Sequence, residues 1–423
     1  MKEKDVRQIA KRLLEIVHHA KDANFEHGKR HLHFERSQGG FSLVGEYADK
    51  YEALLAYLLE HHNWQEKYSE KHLSGLLQDA IVQAFELDKP EELEKLIAKM
   101  AKAYESYSRE HKALVPLDGI RLEVRSLKIG NVTLRTFSEN TLRNEVAKVR
   151  RVIQTTPYSK ETQAEILTER IEYLQQLRGK VVAQYSVIAE PKRASERAED
   201  ETRRIIDLLR FAIPVLYNDD LNVTVGLDGD ISNSTYRIIP VSSAEIQSVH
   251  LYFARRGSLS HLEINKKNIK KMEAIGIFQV SSFLANPANQ ISNFEETILQ
   301  GLHWFATAMT QSENANKLLN MMTVLETFLT PRDNNPIGTA IAEGVAIIRG
   351  KSLADRKKIK TTIKDFYQKR SGLSHGGRKA VLDQEIVRLR YIVGSTIVWM
   401  IKNKGKFQTQ KDLLNWIEDK KLS

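Results

Sequence analysis

LLNMMTVLETFLTPRDNNPIGTAIAEGVAIIRG, residues 318–350, reads as an apolar helix, a polar turn and a second helix rich in Ala and Ile. The first run closes on Leu325-Glu326-x-Phe328, and the break carries Pro331 and Pro336 around Arg-Asp-Asn-Asn. Proline and short polar residues stop one helix and start the next. The same periodicity extends outward on both sides. Helices are predicted over 293–310, 312–329, 337–349, 353–371 and 383–403, with a short terminal helix around Leu413 and Trp416. No strand pattern interrupts them. Helices of this kind bury one apolar stripe each, so 286–423 is expected to form a helical bundle.

Upstream the pattern is mixed. An amphipathic helix is predicted over 3–20, with Ile9, Leu13, Leu14, Ile16 and Val17 at helical spacing. Further helices are expected over 48–62, 66–87 and 90–108. From residue 113, LVPLDGIRLEVRSLKIGNVTLRTFS alternates apolar and polar residues, with turn chemistry at Asp118-Gly119 and Gly130-Asn131, so two or three short strands are expected. A long helix over 138–178, a strand over 181–188 and a helix over 195–213 ending before Pro214 follow. Period two returns between 220 and 256, which predicts a small antiparallel sheet; 265–284 is ambiguous. The expected class is mainly α with a smaller β component (α+β). The expected division is a mixed 1–285, with a further boundary near 110, and the bundle 286–423.

A chain of 423 residues is long enough for two or three domains. With 41% hydrophobic and 28% charged residues it can bury a sizeable core. Cysteine is absent, which excludes disulfides, thiolate zinc sites and cysteine nucleophiles and agrees with a cytoplasmic setting. The first residues place charge in every turn, unlike a signal peptide. The longest apolar run, Tyr391–Ile401, is about half of what a spanning helix needs, so it is read as a core helix and no membrane is expected. The net charge of +10 suits a polyanionic partner, with simple solubility the plainer reading.

The chemistry concentrates in KDFYQKRSGLSHGGRK, residues 364–379. Arg370 and His375 are five apart, which on an unbroken helix separates them by about 140°. Gly372, Gly376 and Gly377 are poor helix residues, so the helix is expected to end or bend near His375 and bring the imidazole toward the guanidinium. Histidine exchanges protons near neutral pH, and arginine grips phosphate oxygens with a permanent charge. Together they suit phosphodiester cleavage; a solvated helix end with a capping histidine is the plainer alternative.

This segment resembles the Arg-x4–6-His signature of the HEPN superfamily. More narrowly it is similar to the Apea-like HEPN family, through Tyr367, Arg370, Ser371, His375 and Gly376. The 318–350 run resembles that family as well, and the likeness covers roughly 290–403. The resemblance implies a metal-independent, cofactor-free endoribonuclease whose dimer lines one cleft with two Arg–His motifs. By that implication His375 is general acid or base, Arg370 stabilises the charged transition state, and Ser371 helps to orient them. Tyr367, one turn before Arg370, either stacks on a base, supports the arginine or packs in the core. Glu326 either pairs with Arg370 from the neighbouring helix or is a surface glutamate. The resemblance further implies a bacterial toxin or antiphage effector acting on RNA, tRNA included. Residues 1–285 would then sense a phage-derived trigger or an antitoxin. The alternative is a catalytically inactive HEPN dimerisation or RNA-binding module.

Weaker signals remain. His27 and His31 share a face if EHGKRHLHFE is helical, with His33 nearby, but basic neighbours argue against metal there. The basic runs 143–151 and 266–271 are either phosphate contacts or solvated helix faces. No Walker A, dinucleotide-binding or hydrolase-elbow motif occurs.

Overall fold

The computed structural model describes residues 3–20, 31–34, 41–61, 64–84, 90–105, 108–217, 223–231, 234–238, 252–256, 260–287, 290–330, 336–374 and 380–422. Their helices far outnumber their short strands, giving a mainly α protein with a smaller β component. The chain divides into two compact units, one of residues 1–113 with 185–200 and one of 114–184 with 201–423.

In the first unit, helices α1 (Glu3–Ala20), α2 (Glu46–His61), α3 (Glu70–Ala84) and α4 (Pro90–Glu105) share one core. Ile9, Leu13 and Ile16 of α1 meet Leu54, Leu58, Leu73, Leu77 and Ile97 there. Strands β1 (His31–Phe34) and β2 (Phe41–Val44) pair antiparallel. His31 and His33 therefore lie on a strand, and the helix face expected of His27 and His31 does not form around His31; His27 itself lies outside the described residues. Glu190, 3% exposed, caps the helix α7 (Pro191–Leu216): it accepts from the Lys192 and Arg193 amides at 2.6 and 3.1 Å and from Ser69 Oγ at 2.5 Å. Proline at the first helical position loses no bond, so α7 starts four residues before its sequence expectation. It also continues past Pro214, because the Tyr217 amide still reaches the Ile213 carbonyl at 3.0 Å and Ile213 and Leu216 stay buried.

The alternating stretch after 113 yields four strands: β3 (Arg109–Asp118), β4 (Ile120–Leu122), β5 (Leu127–Ile129) and β6 (Val132–Thr136). With β7 (Val181–Ala189) and β8 (Gly226–Leu227), the sheet order is β5-β6-β7-β3-β8. In the second unit β6 runs antiparallel to β5 and β7, with Leu134 opposite Leu127 and Ala183. Gly130 turns β5 into β6 at φ 57°, a left-handed conformation that suits glycine, and its amide donates to Ser281 Oγ at 2.8 Å. Gly119 has φ 78°, and a Cβ there would stand 2.1 Å from the Thr224 carbonyl oxygen. The expected single helix over 138–178 is two, α5 (Glu139–Gln154) and α6 (Lys160–Gln176). Pro157 cannot continue the ladder, and Ser159 Oγ caps α6 by accepting from the Thr162 amide at 3.2 Å.

Between 220 and 256 the described strands are β8, β9 (Ser234–Ile238) and β10 (Tyr252–Arg256), the last two antiparallel. Strand β11 (Leu262–Ile264) pairs parallel with β4. The ambiguous 265–284 is helical: α8 (Lys266–Ala274), capped by Asn265, and α9 (Ile277–Leu284), separated by Gly276.

The bundle of the second unit comprises α10 (Asn293–Thr310), α11 (Asn314–Leu329), α12 (Ile337–Arg349), α13 (Leu353–Ser374), α14 (Asp383–Asn403) and α15 (Gln410–Leu422). Helix α10 packs on α11, and α12 on α13. Phe294, Phe305, Met322, Leu325, Phe328, Val345, Ile363, Leu389 and Ile397 form its buried interior. Among the described residues no helix is long and apolar enough to cross a membrane.

Candidate functional site

Helix α13 buries Thr362, Ile363 and Phe366, which fixes its rotation against α11 and α12. The residues one turn later are then held half in and half out of solvent. The helix runs through Gly372 to Ser374, so Gly372 sits inside it and does not terminate it. His375, with Gly376 and Gly377, lies outside the described residues; it follows the last described residue of α13 directly.

Three of the sequence candidates come together. Arg370 Nη2 donates to Glu326 Oε2 of α11 at 3.2 Å, with side-chain exposures of 32% and 19%. The guanidinium carbon stands 5.9 Å from the centroid of the Tyr367 ring, within reach of a cation–π contact. That ring lies against Gly338 in the first turn of α12; a Cβ on Gly338 would meet Tyr367 Cδ1 at 2.4 Å. Tyr367 thus packs between helices and supports the arginine at once. Ser371, half-buried, is on the same turn, four residues after Tyr367 and on its face.

The flanks of the segment that carries His375 are tied down. Lys369 Nζ bridges to Glu385 Oε1 of α14 at 2.5 Å. The Lys369 ammonium and the Leu382 amide together hold the Glu385 carboxyl below the usual glutamate range. Asn314 Nδ2 donates to the Val381 carbonyl at 3.1 Å and to Asp383 Oδ1 at 2.7 Å. The pair Arg370–Glu326 presents a cation that can exchange its carboxylate partner for a phosphate, because the guanidinium fork can take two oxygens of either group.

The basic runs behave as helix surface. Arg143 and Lys148 of α5 pair with Glu139 and Glu145 at 3.6 and 2.8 Å, and Lys266, Lys267 and Lys270 of α8 face solvent or its margin. Sequence reasoning missed a second cationic feature, a groove between α13 and α14 lined by Arg349, Lys351, Lys358, Arg388 and Tyr391. Tyr391 opens the apolar run read as a core helix, yet it is 71% exposed, while Val393, Ile397 and Met400 of the same run are buried. The signal was present in the spacing: Arg388, Tyr391 and Ser395 recur at three and four residues, a polar stripe along α14.

Compared with protein-family models, curated proteins and solved structures, the chain matches none.

Proposed function

We propose that this chain is a metal-independent endoribonuclease of HEPN type, with Arg370 and His375 as its catalytic residues. The observation that carries the reading is the setting of Arg370: a half-exposed guanidinium at the end of α13, held by Glu326 at 3.2 Å, five positions before a histidine. The likeness of Tyr367, Arg370, Ser371, His375 and Gly376 to the Apea-like motif supports it.

In this chemistry the 2′-hydroxyl of the RNA attacks the adjacent phosphorus. The O2′–P bond forms and the P–O5′ bond breaks. One proton leaves the 2′-hydroxyl and one reaches the 5′-oxygen, and His375 serves one of these transfers. Arg370 offsets the extra negative charge of the phosphorane, where a fixed cation is worth most. The products are a 2′,3′-cyclic phosphate and a 5′-hydroxyl. Two copies of the motif, one from each subunit of a homodimer, would line the cleft. The biological role that fits is a cytoplasmic toxin or antiphage effector that cuts tRNA or other RNA, released by a phage-derived trigger or by loss of an antitoxin.

One observation favours a second reading. Glu326 already neutralises Arg370, as it would in an inactive module that only dimerises or binds RNA. Incubation of total RNA and tRNA with the protein in EDTA separates the two. The nuclease predicts EDTA-resistant cutting by wild type that Arg370→Ala and His375→Ala both abolish while remaining folded. Equal cutting by all three sinks the site assignment.

A further inference from the structure

We infer that the groove between α13 and α14 is a binding track for single-stranded RNA, distinct from the Arg370 centre. The groove encloses about 540 Å³. Four cations border it: Arg349 at the end of α12, Lys351 and Lys358 of α13's approach and first turns, and Arg388 of α14. Among the described residues none of the four is held in an ion pair. The single carboxylate in the lining, Asp355, accepts the Lys351 amide at 3.1 Å. Arg388 Nη2 donates to Thr362 Oγ1 at 2.7 Å, which sets its guanidinium across the groove before any ligand arrives.

The spacing fits a chain of phosphates better than one. Lys351 lies two residues before α13 and Lys358 five residues into it, about 7.5 Å along the axis from its first residue, so the two cations are spread along the groove. Tyr391 stands three residues after Arg388, on the same face of α14 and 71% exposed. An exposed aromatic beside cations is the stacking platform of single-strand binders, and only an unpaired base can use it. The identity of the sugar as ribose rests on the nuclease reading; the track itself rests on the groove. Lys358 and Arg370 share α13, about 18 Å apart along its axis and about 120° apart around it, which keeps the groove separate from the Arg370 centre.

Fluorescence anisotropy with a labelled single-stranded RNA of roughly 16 nucleotides tests this. It is run in an Arg370→Ala background across a salt series. Four phosphate contacts predict a log–log salt slope near about −2.8, at about −0.7 each. Lys351→Ala with Lys358→Ala should bring the slope to about −1.4. Tyr391→Ala should weaken binding by about 5-fold or more at every salt concentration and leave the slope alone. All three side chains are exposed or at the groove margin, and unchanged thermal unfolding checks that the variants fold. Parental affinity and slope in both variants overturn the proposal. So does duplex RNA, or a heparin fragment, binding as tightly with the same loss in Tyr391→Ala. The nuclease reading fails separately. If wild type cuts RNA and the groove variants keep its KM, the track falls and the nuclease stands. If wild type never cuts but the groove variants lose RNA, the reverse holds.

Discussion

Substituting Gly338 by Ala puts the packing behind the candidate site to a quantitative test. The added Cβ would lie 2.4 Å from Tyr367 Cδ1 and 2.8 Å from both Cε1 and Cγ. Ordinary carbon contacts lie near 3.5–4.0 Å, so the ring must retreat by about 1 Å. Overpacking of this size costs about 1–3 kcal/mol. Alanine in place of glycine returns up to about 1 kcal/mol to α12. The net expectation is a loss of about 0–2 kcal/mol, near the low end because Tyr367 is only half-buried and can swing. In a Tyr367→Ala background the clash is gone and only the helical gain remains, so the same substitution should stabilise. The double-mutant cycle by calorimetric unfolding should therefore give a coupling of at least about 1 kcal/mol. Displacing the ring also removes the cation–π support of Arg370, worth about 0.5–1 kcal/mol, so RNA cutting should slow by about 2- to 5-fold. Gly338→Ala stabilising the protein equally in both backgrounds would show that the Tyr367 ring does not pack against Gly338.

Two further outcomes follow from the packing and the caps. Gly301→Ala sets a Cβ 2.5 Å from Cζ and 2.7 Å from Cε2 of Phe328, a fully buried ring with no room to yield, so the melting temperature should drop further than in Gly338→Ala; a rise would contradict the α10–α11 contact. Burial alone would raise the Glu190 carboxyl, but the Ser69 hydroxyl and the Lys192 and Arg193 amides outweigh it and hold it below its ordinary 4.5. A lowered folded value gives stabilisation that is full above that ordinary value and is lost as acid titrates the group. Ser69→Ala should then cost about 1–3 kcal/mol near neutral pH, and the gap to wild type should narrow in denaturation curves below about pH 4.5. A pH-independent gap would remove Glu190 from the account.

Much of the helical architecture was legible because it rests on periodicity and strong punctuation. Helices 293–310, 337–349 and 383–403 start and stop where Ser292, Pro336 and the run after Asn403 dictate. The misses have local causes. Pro157 and Ser159 divide a stretch whose apolar spacing looks continuous. Pro214 stays inside α7 because Ile213 and Leu216 gain more from burial than one missing bond costs. KKNIKK carries too little apolar content to declare a helix, and only the Asn265 cap and the Gly276 break define it. At the candidate site, the Arg370–Glu326 pair was foreseeable from helix order. The Gly338 contact was not, since nothing in a sequence says which glycine faces which ring. The groove escaped because its cations come from three helices and the link between two of them, and are scattered through ordinary charged surface.

The most direct test of the central claim is cleavage, in EDTA, of an oligodeoxynucleotide that carries one ribonucleotide. A HEPN-type nuclease makes a single cut 3′ to that ribose, leaving a 2′,3′-cyclic phosphate and a 5′-hydroxyl, and Arg370→Ala and His375→Ala make none. Cutting among the deoxyriboses, or at the ribose by both variants at the wild-type rate, would rule out the 2′-hydroxyl mechanism or the Arg370–His375 site.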